Sequence, residues 1–210
     1  MIGFEQLNPM QQKAVQQKDG AVLILAGAGS GKTGALTVRI ASMLEHGIRP
    51  YNILAITFTN KAAKEMRDRV DALAGPAAQD VWISTFHSTC VRILRREIDK
   101  IGYSKDFSIY DADDQEKVMK EVFKDLNMSI TDKTFTVRSA VSAVSHLKEE
   151  MISWEDYLKE VDKADIRSWK TSRVYEAYQT RLLKNNALDF DDLIYKTVYL
   201  SPFLLCISAA

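Results

Sequence analysis

The sequence predicts an α/β chain, with a parallel sheet in its first part and a helical unit in its second. Short apolar runs of strand length alternate with amphipathic helical stretches as far as Thr85, and a glycine-rich loop separates the first run from the helix that follows it. Beyond Thr85, helical periodicity and charged faces take over.

Asn8 before Pro9 has the form of a helix start, a capping side chain ahead of a proline at the first helical position, and the polar run to Gln17 continues it. Ala21–Ala26 (AVLILA) is a compact apolar run, as expected of a strand buried on both faces. Leu36, Ile40, Met43 and Leu44 recur at helical spacing from Lys32 to Glu45. Asn52–Thr57 and Val81–Ser84 read as the second and third strands, with a helix over Lys61–Leu73 between them. Later helices are predicted over Thr85–Ile101, Asp113–Leu126, Thr134–Glu149, Trp154–Val161, Ile166–Asn185 and Phe190–Leu200, with no further strand. Asp111–Asp114 and Ser153 supply N-caps, and Gly102 can end the helix before it. Pro202–Ala210 is apolar and uncharged and departs from the charged helical pattern ahead of it.

The 210 residues are 46% hydrophobic and 27% charged, a composition that points to neither a disordered chain nor a disulfide scaffold. There is no basic, then apolar leader pattern at the start, and no apolar run approaches the ~20 residues of a membrane helix, so a cytoplasmic protein without membrane contact is expected. Cys90 and Cys206 are far apart and read as free thiols. The formal net charge of zero divides unevenly: residues 1–105 carry 14 Lys+Arg against 9 Asp+Glu, and residues 106–210 carry 14 against 19. The excess of five positive charges in the first half fits a phosphate-bearing partner, and equally a solvated surface. His46, His146 and the three tryptophans form no metal or cofactor arrangement.

Residues 26–33 read AGAGSGKT, matching the phosphate-binding pattern GxxxxGK[ST] with alanine in its first position. The chemistry needs these residue types. Small residues at Ala28, Gly29, Ser30 and Gly31 let the backbone turn its N–H groups toward a phosphate, and the helix N-terminus adds favourable partial charge. Lys32 would reach the β- and γ-phosphates of ATP, and Thr33 would hold Mg²⁺. Gln11, just upstream, carries a carboxamide of the kind that pairs with adenine, and by itself reads as a surface glutamine.

The chain resembles the UvrD/PcrA/Rep group of superfamily 1 ATP-dependent DNA helicases, most of all its PcrA branch. The likeness rests on LNPMQQKAV at Leu7–Val15, AGAGSGKT at Ala26–Thr33, ILAITFTNKAAKEM at Ile53–Met66, VWISTFHSTCVRILRREI at Val81–Ile98 and ALDFDDLI at Ala187–Ile194. It implies a P-loop, RecA-like fold: residues 1–86 as a partial ATP-binding lobe (1A), 87–200 as an all-helical inserted subdomain (1B), and 201–210 as a tail outside the family pattern. It further implies 3′–5′ translocation on DNA in repair or replication, with single-stranded and junction DNA and repair or transcription proteins as partners. Gln11 becomes an adenine contact by this likeness.

On the same footing Phe58, Thr59, Asn60 and Lys61, after the second strand, become DNA-facing residues. An exposed aromatic stacks on any base, while amide and hydroxyl groups reach phosphates. Thr85, Phe86, His87 and Ser88 repeat the arrangement after the third strand, and the likeness assigns Thr85 and His87, together with Phe190, to DNA; without it His87 reads as a capping or core histidine and Phe190 as core. Arg92, Arg95, Arg96 and Lys100 form a basic cluster that suits either phosphate contact or a solvated face.

Two departures bear on the likeness. The family carries arginine after its GKT where this chain has Gly34, which implies weaker purine affinity and a weaker first helical turn. The family's Asp-Glu pair, later motifs and second lobe are expected after residue 200 and are absent from these 210 residues, which implies a chain that does not hydrolyse ATP alone. An alternative is a non-catalytic nucleotide- or DNA-binding module that contacts duplex DNA or a protein partner. An unrelated P-loop kinase or transferase leaves TFTNKAAKEM and STFHS without a role.

Overall fold

The computed structural model describes residues 3–17, 19–27, 29–130 and 133–205, the last four of them by backbone alone. The chain divides into two compact units, Met1–Thr89 and Cys90–Ala210.

In the first unit, α1 (Pro9–Gln16) starts at a reciprocal cap: the Asn8 side chain accepts from the Gln11 amide, and the Gln11 side chain accepts from the Asn8 amide. α2 (Lys32–Glu45) follows the glycine-rich loop. β1 (Leu54–Thr57), α3 (Asn60–Ala74) and β2 (Trp82–Thr85) then form a βαβ unit. The two strands pair in parallel, Leu54 opposite Trp82 through Thr57 opposite Thr85. Alternation decides which side chains go inward: Ala55 and Ile83 are buried with Ile40 of α2 and Met66 and Val70 of α3. This apolar cluster fixes the ends of β1 and β2 level with each other.

The expected first strand is corrected. Among the described residues Ala21–Ala26 joins no strand ladder, and Leu23 and Leu25 are 81% and 86% exposed. Apolar, β-branched composition expresses readiness for a sheet, but a strand exists only where an adjacent edge accepts its N–H and C=O groups. Among the described residues the sheet of the first unit therefore has two strands, not the three that the sequence predicts.

The second unit is helical: α4 (Phe86–Glu97) leads into it from the first, followed by α5 (Ala112–Asp125), α6 (Val137–Glu149), α7 (Trp154–Glu160), α8 (Ile166–Lys184) and α9 (Phe190–Leu205). Asp111, Thr136, Ser153 and Asp165 cap four of these through side-chain oxygens. Val118, Met119, Val122 and Phe123 of α5 pack with Ala140 and Val144 of α6 and with Val174, Tyr175 and Tyr178 of α8. The expectation of an all-helical unit is corrected in one detail. β3 (Ser108–Ile109) and β4 (Ala187–Leu188) form a parallel ladder of two residues each, too short for any periodicity to signal. α9 continues five residues past the predicted end at Leu200 and runs through Pro202. No helix among the described residues is long and apolar enough to cross a membrane.

Candidate functional site

The phosphate-loop residues lie together at the start of α2. Gly29 and Gly31 adopt φ of 76° and 79°, the left-handed region that glycine enters without strain. Gly31 is also the residue before α2, so no side chain caps that helix. A helix start of this form presents first-turn amides and positive partial charge to whatever lies in front of it. Lys32 and Thr33 are exposed there; Ala28 lies outside the described residues. The Lys32 ammonium donates to the carbonyls of Ala26 and Gly27, each at 2.6 Å.

Gln11 touches this loop directly. Its Oε1 accepts from the Asn8 amide at 2.9 Å, and its Nε2 donates to the Ser30 carbonyl at 2.9 Å. The carboxamide thus ties the cap of α1 to the loop, a role that no sequence pattern announced. A β-carbon built on Gly31 would come within 2.7 Å of that Nε2. Gln11, Lys13, Ser30 and Lys32 line a cleft of about 510 Å³ with the apolar residues of 21–25.

At the carboxyl ends of β1 and β2, Phe58 is 89% exposed and Phe86 43% exposed, their ring centroids 5.4 Å apart and tilted by 43°. Asn60 and Lys61 are exposed at the start of α3. Thr59 caps α3, its Oγ1 accepting from the Ala62 amide at 3.1 Å. Thr85 is buried and caps α4 in the same way, its Oγ1 accepting from the Ser88 amide at 3.2 Å. His87, partly buried, follows in the first turn of α4. The structure thus brings Phe86, part of the repeated arrangement after the second of these strands, against Phe58, although the family likeness assigns only Thr85 and His87 there to DNA.

Phe190, half exposed, belongs to the second unit, at the start of α9. Asp189 and Asp192 on either side of it are buried: the Lys148 Nζ lies 2.6 Å from Asp189 Oδ2 and 3.0 Å from Asp192 Oδ1. Burial pulls the Lys148 ammonium down, but the two carboxylates outweigh it and hold its pKa above the usual lysine value. For Asp189, burial pushes upward and is outweighed by Lys148, the Asp192 amide and the Tyr178 hydroxyl, so its carboxyl sits low. Burial, then the charge of Asp189, push Asp192 upward.

In the basic cluster, Arg95 donates to the Lys105 carbonyl and lies 3.8 Å over the Phe107 ring, and Lys100 pairs with Glu97 at 2.6 Å. Cys90 is buried, which raises its thiol pKa; Cys206 lies outside the described residues. Among the described residues no group of three or more His, Cys, Asp or Glu could hold a metal ion.

A family model described as the UvrD/REP helicase N-terminal domain matches residues 7–202. Curated relatives include proteins named ATP-dependent DNA helicase PcrA. The one from Bacillus subtilis (strain 168) is 51% identical over 195 residues, and one from Staphylococcus epidermidis (strain ATCC 12228 / FDA PCI 1200) is 52% identical over the same length. One from Staphylococcus aureus (strain NCTC 8325 / PS 47) is 50% identical over 195 residues. Each match covers 92% of this chain and 26% of the relative, so the chain spans about a quarter of the length of these proteins.

Proposed function

We propose, because this chain belongs to the UvrD/REP helicase N-terminal domain family, that it forms the nucleotide- and DNA-binding part of an ATP-dependent 3′–5′ DNA helicase or translocase of repair or replication. The relatives named PcrA are ATP-dependent DNA helicases by name, and this chain shares half of its residues with them. In this reading residues 1–86 are the partial ATP-binding lobe, 87–200 its helical insertion, and single-stranded and junction DNA the partners, with repair or transcription proteins beside them in the cytoplasm.

The observation that carries the reading is the loop at the start of α2: two glycines at positive φ, an uncapped helix N-terminus and an exposed lysine and threonine directly after them. A triphosphate would receive hydrogen bonds from the amides of Gly29, Gly31, Lys32 and Thr33. Lys32 would exchange the carbonyls of Ala26 and Gly27 for phosphate oxygens, trading neutral acceptors for charged ones. Gln11, already bonded to Ser30, would hold the loop beside the adenine end. Thr33, exposed in the first turn of α2, would hold Mg²⁺ through its hydroxyl, a hard oxygen donor of the kind that ion takes. When bound, the ion supplies charge neutralisation between the phosphates.

DNA would lie across the carboxyl ends of β1 and β2, where Phe58 stacks on bases and Asn60 and Lys61 reach phosphates. Thr85 and His87 flank that edge, and Phe190 offers a second aromatic in the helical unit.

Isothermal titration with a non-hydrolysable ATP analogue and Mg²⁺ tests the nucleotide half. Loss of one charge-assisted contact in Lys32→Ala should weaken binding at least about tenfold. Equal heats and affinities in the two proteins would overturn the assignment of this loop.

A further inference from the structure

The second unit buries an ionic cluster that the nucleotide and DNA contacts do not use. Lys148 of α6, with a fully buried side chain, lies between Asp189 and Asp192. Asp189 Oδ2 also accepts from the Tyr178 hydroxyl at 3.0 Å and from Gln115 Nε2 at 3.3 Å, and Asp192 Oδ1 accepts from Gln179 Nε2 at 3.3 Å. The two aspartates lock each other's backbone: Asp189 Oδ1 accepts from the Asp192 amide at 2.8 Å, and Asp192 Oδ2 from the Asp189 amide at 3.4 Å. Asp191 accepts from the Ser145 hydroxyl at 2.6 Å, and the Leu188 carbonyl accepts from the Tyr110 amide at 2.8 Å.

Phe190 stands in the middle of this lock, the half-exposed residue of a segment whose Leu188, Asp189 and Asp192 are buried. Stability is a poor explanation for such a cluster. Desolvating three ionic groups offsets much of their mutual attraction, and apolar replacements of similar volume are often as stable or more so. What the cluster supplies is a fixed geometry, since its bonds set the backbone on both sides of one aromatic ring. A ring held ready to stack does not have to be ordered again at each binding event.

We infer that Lys148 is a positioning residue for DNA: by holding Asp189 and Asp192 together it presents the Phe190 ring in a fixed orientation for stacking on a nucleobase. The inference rests on the reading of Phe190 as a DNA contact and assigns to Lys148 a role that neither motif nor family likeness gave it.

The test uses the 210-residue chain, a fluorescein-labelled oligo-dT for affinity and an oligonucleotide containing 2-aminopurine, whose quenching reports stacking. Phe190→Ala in the otherwise unchanged protein should weaken oligo-dT binding about tenfold and relieve the quench. Lys148→Met combined with Asp189→Asn and Asp192→Asn removes every charge from the cluster while keeping its volume. This variant should fold, and should lose both the quench and the same tenfold. Adding Phe190→Ala to it should cost nothing more. Asp192→Asn alone, the mildest change, leaves one acceptor oxygen where two served the Asp189 amide on one side and Lys148 and Gln179 on the other, and should relieve part of the quench even if the triple variant fails to fold. A folded triple variant or Asp192→Asn protein with wild-type quenching, and with the full tenfold loss on adding Phe190→Ala, would overturn the positioning role and leave the cluster structural. No effect of Phe190→Ala in the unchanged protein would instead remove the underlying reading, a distinguishable failure that also ends the inference.

Discussion

Phe58 and Phe86 form a tilted aromatic pair, 5.4 Å between centroids, because each stands one residue beyond a register partner, Thr57 opposite Thr85. Parallel strands ending level with each other bring two identical Thr-Phe steps side by side at the edge where α/β folds hold ligands. In the proposed function this exposed pair of rings is a stacking platform that reads no base identity.

Phe58→Ala should weaken oligo-dT binding by ~1–3 kcal/mol and leave the salt dependence unchanged, since the ring carries no charge. Lys61→Ala should instead flatten the plot of log affinity against log salt by about one. Phe86→Ala should reproduce part of the Phe58 loss by removing the ring's neighbour. Fluorescence anisotropy at several salt concentrations checks all three, and equal affinities throughout would reduce this edge to packing.

Thr59 and Thr85 make hydrogen bonds to the first turns of α3 and α4, so their substitution acts first on folding. Thr85→Ala should lower stability by ~0.5–2 kcal/mol, and Thr85→Ser should recover most of it through the retained hydroxyl. Urea unfolding measures this. If the serine variant were no more stable than the alanine one, the cap would not be what Thr85 supplies.

Gly31 combines a φ of 79° with a position 2.7 Å from Gln11 Nε2 for any added β-carbon. Gly31→Ala should weaken ATP-analogue binding about tenfold, from a left-handed penalty of ~1–2 kcal/mol for a residue with a side chain. Gln11→Ala added to it would clear the contact but not the dihedral strain, so affinity should stay low. Recovery in the double variant, followed by titration calorimetry, would assign the effect to the contact instead.

Asp192 and Asp189 shift in opposite directions from 3.8, and the signs separate them. Raised by burial and by Asp189, the folded Asp192 takes up its proton at a higher pH than the unfolded chain does. Its contribution is therefore complete below 3.8 and is lost as pH rises through its elevated value. Asp189, held low by Lys148 against the upward push of burial, contributes stability that is complete above 3.8 and is lost as pH falls toward its depressed value. Asp192→Asn should thus remove the decline on the alkaline side and keep the acid loss, giving a flatter profile from about pH 4 upward. Urea midpoints followed by the fluorescence of Trp154 and Trp169 would check this, and a profile parallel to the unchanged protein would contradict it.

Much of the local structure was determined by the sequence alone. Caps such as Asn8 and Ser153, the glycines of the phosphate loop and the helices that follow Thr57 and Thr85 depend on interactions within a few residues, which residue types and spacing express directly. The motif residues around Lys32 and the exposed ring of Phe58 were legible for the same reason. Tertiary structure decided what depends on distant partners. Ala21–Ala26 has the composition of a strand but takes no place in a ladder, because pairing requires another edge and no segment's own residues contain one. Gln11 meets Ser30 across 19 positions, and Lys148 meets Asp189 across 41. In the sequence Lys148 is one charged residue beside Val144 and Leu147 on an otherwise apolar helix face. Only the folded packing of α6 against the start of α9 supplies the two carboxylates that make its burial possible.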